Sequence, residues 1–482
     1  MTSNAKPVTY DRSALKTGIL HIGVGNFHRA HQERYTDSLI TDNPDQSSWA
    51  VAGAMLLDSD RDVYQSLKAQ NGLYTLTEFN PDGTTASRQI GSLVDVMWAH
   101  DDADKIIDKI ASPDTKIITL TITQSPYNID PKTGEFDFDN IAVKTDLNTP
   151  GTPISVFGYL AQGLLRRCNA NAGPVTILSC DNLRRNGDTT RRAVMAFLNA
   201  FDKDVALWAE TNITFPNSVV ERITPETASE DVERLNGISG SDDAAPVGSE
   251  SYIRWIIEDR FAAGRPAWEK VGVTFTDDIA PYADMKLSLL NAAQTMLAYP
   301  AFLGGYRKVD EAMADSRIVK LVCEFMDTDV TPYIKTPAGL DLIAYKQSVI
   351  QRLGNRSLGD QVGRLCTDGI SKFPVYIVPT LAALIRDDKT LTRLAYLFAA
   401  YRHCLKYQRD DKGVEFEIDE PWVDIADLAL AQSDNPLDFL TLPAFSAAAP
   451  AMSEKFVRQY KSLADSILRL GAMATLEQIV LV

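Results

Sequence analysis

The sequence predicts an α/β protein, with a doubly wound parallel sheet followed by a mostly α-helical part. Two observations predict this order. Up to about residue 225, short runs rich in β-branched residues alternate with helical stretches. After about residue 276, apolar residues recur with the helical period. We therefore expect two domains, residues 1–276 and residues 277–482.

Apolar runs are the candidate strands of the sheet, at residues 18–23, 49–53, 116–123 and 175–180. Near-continuous runs of this kind are typical of parallel strands that are buried on both faces. The segment 226–248 is rich in Ser, Gly, Asp and Glu instead, so we expect an exposed excursion there. The candidate helices of the second part are residues 286–301, 310–326, 345–353, 391–405 and 452–470.

Composition and charge exclude several classes of protein. The chain has 48 Lys and Arg against 64 Asp and Glu, a formal net charge of −16. A chain this acidic repels nucleic-acid backbones and anionic membranes, so we expect neither as a partner. Its five cysteines are scattered without a CxxC pair, and we find no signal peptide or membrane span. We expect a cytoplasmic protein without a metal site.

A glycine turn follows the first candidate strand, in the sequence GILHIGVGNFHRAHQ at residues 18–32. Two glycines separated by one residue let the backbone turn tightly and approach a pyrophosphate at the start of a helix. The third glycine of GxGxxG is absent, and a purely structural turn remains the alternative. The residues expected to bind a dinucleotide here are Gly23, Gly25, Asn26, Phe27 and His28.

The second candidate strand is followed by Asp58 and Asp60. A carboxylate at this position can accept hydrogen bonds from an adenosine ribose and repel a 2′-phosphate, so Asp60 favours NAD over NADP. The alternative is that these aspartates cap a helix in a solvated loop.

Lys286 lies in a mostly apolar stretch, PYADMKLSLLNAAQTM. On an α-helix, Lys286, Asn291 and Gln294 would spread over an arc of roughly 140° on one side. A desolvated lysine loses proton affinity and can act as a base, and neighbouring amides can hold an alkoxide or carbonyl oxygen. No histidine occurs between residues 101 and 402, so a histidine base is excluded there. The alternative is a lysine that extends to water.

Several segments together resemble the long-chain polyol dehydrogenases of the mannitol 2-dehydrogenase family, from residue 18 to about residue 470. They are HIGVGNFHRAHQ, LTIT, SCDNLRRNG, FPNSVVERITP, GRPAWEKVGV, MKLSLLN and DGISKFP. The resemblance implies a Rossmann-type N-terminal domain that binds NAD(P), a mostly helical C-terminal domain with the substrate site, and metal-independent oxidation of a polyol.

The resemblance also implies a role for individual residues. Lys286 matches the catalytic lysine, and Asn182 and Asn291 match asparagines that hold the reacting oxygen. The positions that match substrate-contacting residues are Glu221, Gln294, Arg364 and Lys372. Asp60 falls where the family reads the adenosine ribose.

Three positions depart from the mannitol-type pattern. Gln294 stands in place of a histidine, and Gln124 and Ala283 each stand in place of a glutamate. The sequence therefore predicts an NAD-dependent polyol 2-dehydrogenase that interconverts a hexitol or pentitol and its ketose, with the particular polyol undefined. The alternatives are a reductase of keto-sugar acids of the fructuronate or tagaturonate type, and a catalytically silent nucleotide-binding protein.

Overall fold

The computed structural model describes residues 4–122, 127–129, 134–421 and 423–480. The chain divides into two compact units, the first of which ends at Ala280. The second begins at Pro281 and includes the short segment Pro81–Gly83. Within the described residues, no helix combines the length and the apolar character that a membrane crossing requires.

The first unit is built on a six-stranded parallel sheet. Its strands are β1 (Thr17–Ile22), β2 (Ala50–Met55), β5 (Leu93–Trp98), β6 (Ile117–Leu120), β7 (Val175–Ser179) and β8 (Ile213–Thr214). Their spatial order is β5-β2-β1-β6-β7-β8, and every neighbouring pair is parallel. This is the strand order of dinucleotide-binding doubly wound sheets, with β1 at the point where the order reverses.

Both faces of this sheet are buried, which explains the continuous apolar runs. Along β1, Ile19 belongs to one hydrophobic core, whereas Leu20 and Ile22 belong to another. Successive side chains of a strand point to opposite faces, so the two cores lie on opposite sides of the sheet. The sequence-based prediction of a Rossmann-type first part is confirmed.

Helices and two small sheets complete the first unit. The helices are α1 (Asn26–Ala30), α2 (Gln32–Asp42), α3 (Arg61–Ala69), α4 (Ala99–Ala111), α5 (Ile141–Asn148), α6 (Val156–Asn169), α7 (Asn186–Phe201), α8 (Lys203–Asn212) and α9 (Ser229–Ser239). One small sheet contains β3 (Tyr74–Phe79), β4 (Thr85–Ile90) and β10 (Val247–Glu250), and the other contains β9 (Ser218–Glu221), β11 (Arg254–Glu258) and β12 (Thr274–Thr276).

The prediction of an exposed excursion at residues 226–248 is wrong. This segment forms α9 and leads into β10, which pairs with β3. Leu235 and Val247 are buried and anchor the segment. The segment is polar because only one of its faces is buried. It contains few apolar residues, so its sequence shows little hydrophobic periodicity.

The described residues of the second unit contain helices and no strand. The helices are α10 (Ala280–Met285), π1 (Lys286–Asn291), α11 (Ala292–Leu303), α12 (Val309–Met313), α13 (Ser316–Glu324), π2 (Phe325–Val330), α14 (Leu342–Leu353), α15 (Val362–Cys366), α16 (Gly369–Tyr376), α17 (Val378–Arg386), α18 (Thr392–Tyr407), α19 (Ile425–Gln432), α20 (Glu454–Leu470) and α21 (Ala472–Val480). π1 and π2 are π-helical. The prediction of a mostly helical second part is confirmed.

The helix predicted at residues 310–326 is divided in the structure. α12 ends at Met313, and Asp315 begins α13 by accepting a hydrogen bond from the backbone amide of Arg317. An aspartate that caps the following helix competes with continuation of the preceding one. The apolar period continues across this break, so periodicity alone did not reveal it.

Candidate active site

The glycine turn follows β1 closely. Gly23 has a φ of +103°, and a Cβ there would lie 2.1 Å from the carbonyl oxygen of Thr121, so only glycine fits. Gly25 precedes α1, and a Cβ there would have no neighbour within 4 Å. The space beside Gly25 is therefore open to a ligand, which is how a dinucleotide-binding turn admits a pyrophosphate.

The side chains that follow the turn are engaged within the protein. His28 is 1% exposed and stacks on His21, with a distance of 3.4 Å between the ring centroids. Burial lowers the pKa of His28 well below its usual value, so the ring is neutral. The side-chain amide of Asn26 donates to the hydroxyl of Thr227 at 3.0 Å and accepts from Arg29 at 2.6 Å. These side chains hold the turn, whereas Phe27 stacks on His31.

Asp60 lies in a short 3-10 helix, Asp58–Asp60, that follows β2 at the carboxyl edge of the sheet. Its carboxylate accepts a hydrogen bond from the backbone amide of Leu57 at 3.0 Å. Partial burial raises the pKa of Asp60, and this amide opposes the rise. Asp58 is exposed. The carboxylate of Asp60 thus caps the start of this 3-10 helix. Its role in cofactor binding stays a prediction.

Asn182 lies in the loop between β7 and α7, also at the carboxyl edge, and its side chain is exposed. Two buried residues shape this loop. Asp181 accepts hydrogen bonds from the backbone amide of Ile122 at 3.1 Å and from the hydroxyl of Tyr127 at 2.8 Å. The amide group of Asn186 donates to the carbonyl oxygens of Ser179, Asp181 and Ser218.

Glu221 is the last residue of β9 and is only 1% exposed. The hydroxyl of Ser218, at the start of β9, donates to the carbonyl oxygen of Ser179 at 2.6 Å. This bond and the contacts of Asn186 connect the Asn182 loop to the strand that carries Glu221. Within the first unit, hydrogen bonds therefore join the two segments that carry the predicted residues Asn182 and Glu221.

Lys286 and Asn291 are the two ends of π1. Lys286 is 4% exposed, and the buried Leu287 and Leu290 lie in the same segment. The carbonyl oxygen of Leu287 accepts from the amide of Ala292, five residues later, which is the π-helical pattern. Such a turn is wider than an α-helical turn, so residues five apart lie on a similar side of it. Lys286 and Asn291 are therefore closer in direction than an α-helix would bring them.

Arg364 and Lys372 lie on the short helices α15 and α16. The guanidinium of Arg364 donates twice to the buried carboxylate of Asp360, at 2.7 and 2.6 Å. The ammonium of Lys372 donates to the carbonyl oxygen of Leu365 at 3.2 Å. Burial, and then the neighbouring charge of Arg364, lower the pKa of Lys372.

The second unit brings together the elements that carry its five predicted residues. α16 contacts π1 and α11, and α15 contacts α11. Gln294 is half-buried on α11, three residues after Asn291, and Ala283 lies on α10.

The other predicted residues lie elsewhere in the chain. Asn182 and Glu221 belong to the first unit. Gln124 lies outside the described residues.

Sequence reasoning missed two supporting residues. Asp360 stands four residues before Arg364, and this spacing is a signal for an ion pair on one helical face. Asn186 gave no such signal, because its partners come from three different parts of the chain. Across the described ranges, no three His, Cys, Asp or Glu side chains cluster in a way that could hold a metal ion.

The sheet order and the open glycine turn are those of a dinucleotide-binding protein with an appended helical unit. Comparison with known proteins defines the class further. The family model of the mannitol dehydrogenase Rossmann domain matches residues 17–270, and that of the mannitol dehydrogenase C-terminal domain matches residues 278–464. The chain belongs to the mannitol dehydrogenase family. The prediction of a long-chain polyol dehydrogenase, an oxidoreductase, is confirmed.

Individual relatives are similar over nearly their full lengths. A polyol:NADP oxidoreductase of Gluconobacter oxydans is 40% identical over 92% of this chain and 91% of its own. Mannitol 2-dehydrogenase of Pseudomonas fluorescens, solved as a ternary complex with NAD and D-mannitol, is 39% identical with a TM-score of 0.94 over 99% of this chain and 97% of its own. A substrate-free D-sorbitol dehydrogenase is 38% identical with a TM-score of 0.85 over 98% of this chain and 97% of its own.

Proposed function

We propose that this protein is an NAD-dependent polyol 2-dehydrogenase in which Lys286 is the general base. The observation that carries the proposal is the π-helical turn, because it holds a buried lysine and an asparagine amide on one side of a helix. π-Helical turns are rare and are frequent at functional sites. The first domain, residues 1–276, binds the cofactor, and the second, residues 277–482, supplies the base and most of the substrate contacts.

The residues of the first unit fit a nicotinamide dinucleotide. Gly23 and Gly25 hold its pyrophosphate, and the open space beside Gly25 supports this assignment. Asp60 reads the adenosine ribose and disfavours a 2′-phosphate. NAD is the cofactor in the Pseudomonas fluorescens complex, whereas the name of the Gluconobacter oxydans relative specifies NADP. When bound, the nicotinamide accepts or supplies the hydride.

The protein's own residues handle the proton and the developing charge. Neutral Lys286 takes the proton of the reacting hydroxyl. Asn182 and Asn291 donate hydrogen bonds to that oxygen as it gains alkoxide character, and fixed donors of this kind stabilise the transition state. The other hydroxyls are oriented by Glu221, Gln294, Arg364 and Lys372. The side-chain oxygen of Asn291 is buried without a hydrogen-bond partner in the described structure, so this oxygen is available to accept a hydrogen bond from a ligand hydroxyl.

The charges of the second unit support a neutral polyol over a sugar acid. A carboxylate substrate would need an uncompensated cation. Arg364, the strongest candidate, already donates from its Nε and from one terminal nitrogen to the carboxylate of Asp360. Lys372 donates to a backbone carbonyl, and its pKa is lowered by burial and by Arg364. A site with these contacts is better matched to hydroxyl groups than to a second negative charge.

Absorbance at 340 nm tests the proposal, with NAD or NADP and a panel of hexitols and pentitols, and in reverse with ketoses and keto-sugar acids. We expect NAD-dependent oxidation of at least one polyol. In the reverse direction, we expect no keto-sugar acid to be a better substrate than the best ketose. Turnover of fructuronate or tagaturonate with much higher kcat/KM than any ketose would refute the polyol assignment. No turnover of any compound, with intact cofactor binding, would favour a silent nucleotide-binding protein.

A further inference from the structure

The N-terminus of α16 is capped by a residue that lies far away in the sequence. One carboxylate oxygen of Glu420 accepts from the backbone amide of Gly369 at 2.9 Å, and the other accepts from that of Ile370 at 3.1 Å. The first oxygen also accepts from the hydroxyl of Tyr401 at 2.8 Å. Asp368, the residue at the usual capping position, makes no capping bond with its side chain.

The backbone around this contact leaves little freedom. Asp368 has a φ of +56°, which is uncommon for a residue with a side chain. A Cβ on Gly369 would lie 2.3 Å from the hydroxyl of Tyr299 and 2.8 Å from Glu420. The backbone amide of Asp368 also donates to the carbonyl oxygen of Asp419 at 2.9 Å. The segment 419–420 therefore fixes the entry into α16 through both its backbone and its side chain.

The turn fixed in this way carries the proposed substrate contacts. Lys372 lies in the first turn of α16, and its ammonium donates to the carbonyl oxygen of Leu365 at the end of α15. α15 also carries Arg364. A displacement of the α16 N-terminus therefore moves Lys372 and changes its contact with α15. α16 also contacts π1, which carries Lys286.

We propose that Glu420 is a positioning residue, whose carboxylate fixes the α16 N-terminus and thereby holds Lys372 and Arg364 in place for the substrate. This inference rests on the proposed polyol dehydrogenase function. In this role, Glu420 needs no contact with the substrate. Its action is through the two backbone amides that it holds.

The surroundings of Glu420 give this contact a dependence on pH. The titratable groups that face it are Tyr299, Cys366, Asp368, Lys372, Tyr401 and Cys404. Burial raises the pKa of Glu420 to about 7, against the effect of its three donors. A protonated carboxyl has fewer acceptor sites for these donors, so the hold on α16 weakens as the pH falls through this value.

The stability of the protein should change with pH in the opposite direction. The folded-state pKa of Glu420 is raised above the ordinary value of 4.5, so the folded state binds a proton that the unfolded state releases. The free energy of unfolding therefore decreases as pH rises from the ordinary pKa to the raised one. A residue with only a structural role would change thermal stability and leave the pH dependence of KM unchanged, whereas a positioning residue changes that dependence as well.

The experiment compares the parent enzyme with Glu420→Gln and Tyr401→Phe, on the polyol that the parent oxidises best. For Glu420→Gln we expect KM to rise about tenfold above pH 8, as for loss of a charged hydrogen-bond acceptor, with kcat changed less than about threefold. In the parent we expect KM to rise as the pH falls below about 7, because Glu420 becomes protonated. This rise should be absent in Glu420→Gln. Tyr401→Phe keeps both backbone contacts and should raise KM less.

Further measurements test the role of Glu420 even if the activity of the variant is too low for a reliable KM. Hydrogen exchange at the amides of Gly369 and Ile370 should accelerate in Glu420→Gln, and NADH binding should match the parent. The melting temperature of the variant relative to the parent should rise with pH. An unchanged KM and unchanged exchange in a parent that oxidises polyols would overturn the role of Glu420. A parent without any polyol turnover would instead overturn the proposed function.

Discussion

Lys286 and Asn291 begin and end one π-helical turn, and the amide of Ala292 closes that turn on the carbonyl oxygen of Leu287. In an α-helix, residues five apart differ in direction by roughly 140°. In the wider π-helical turn, the directions of Lys286 and Asn291 differ by less than this. A base and an oxygen-binding amide can then approach one hydroxyl group from a single rigid element.

Replacement of Lys286 by Met should abolish the base while preserving the volume of the side chain. We expect kcat to fall about 10²- to 10⁴-fold, the usual contribution of a general base, with NADH binding unchanged. Steady-state oxidation at saturating polyol measures this loss. Lys389→Met removes an exposed lysine and is the matched control. Near-native turnover of Lys286→Met would assign the base to another residue.

We expect Asn291 to contribute to catalysis through the N–H donor of its side-chain amide. Asn291→Ala removes the donor and is expected to lower kcat about 10²- to 10³-fold, as for an oxyanion-hole amide. Asn291→Asp has the same shape but offers only acceptors, so it should be worse than Ala toward an oxygen that gains negative charge. Single-turnover rates measure both variants. Equal rates for the Ala variant and the parent would remove Asn291 from the reacting oxygen.

Asp60 should affect both cofactor choice and stability. We expect the parent to prefer NAD, and Asp60→Ala to narrow the ratio of kcat/KM for NAD over NADP. Loss of the hydrogen bond to the amide of Leu57 should also lower the free energy of unfolding by about 1 kcal/mol. Asp58→Ala is the control, because Asp58 is exposed on the same short helix. A larger shift at Asp58 would move the ribose site by two residues.

Gln294→His should introduce a titration into the wall of the substrate site. A primary amide stays neutral at all working pH values, whereas an imidazole changes charge near pH 6.5. Profiles of kcat/KM against pH on several hexitols and pentitols measure the effect. We expect an added or shifted titration in the slightly acidic range and a changed order of substrates. If neither changes, Gln294 does not face the substrate.

Glu33→Gln should change how stability depends on pH. Burial raises the pKa of Glu33 from its ordinary 4.5 to about 8. The folded state therefore binds a proton in this window that the unfolded state has lost, and the free energy of unfolding decreases as pH rises. The variant lacks this group, so its melting temperature relative to the parent should rise from about pH 5 to about pH 9. A constant difference would contradict the raised pKa.

The sequence predicted the sheet because each strand is apolar enough to be buried on both faces. It also predicted the glycine turn, because Gly23 adopts a backbone conformation that other residues avoid. It did not predict the π-helical turn, since Leu287, Leu289 and Leu290 satisfy an α-helical pattern equally well. It could not predict the cap on α16, because Glu420 lies 50 and 51 residues from the amides that it binds.

The π-helical turn also constrains where the length of the chain can change. Every residue of α11 except Gln294 is buried, so this helix cannot rotate to absorb a change in the preceding turn. Deletion of a single residue inside α11 would rotate Lys286 by about 100° relative to the residues after the deletion. Surface loops accept such deletions readily. Recombination between family members should therefore succeed only at crossover points outside residues 286–303, with that stretch inherited as one block from a single parent.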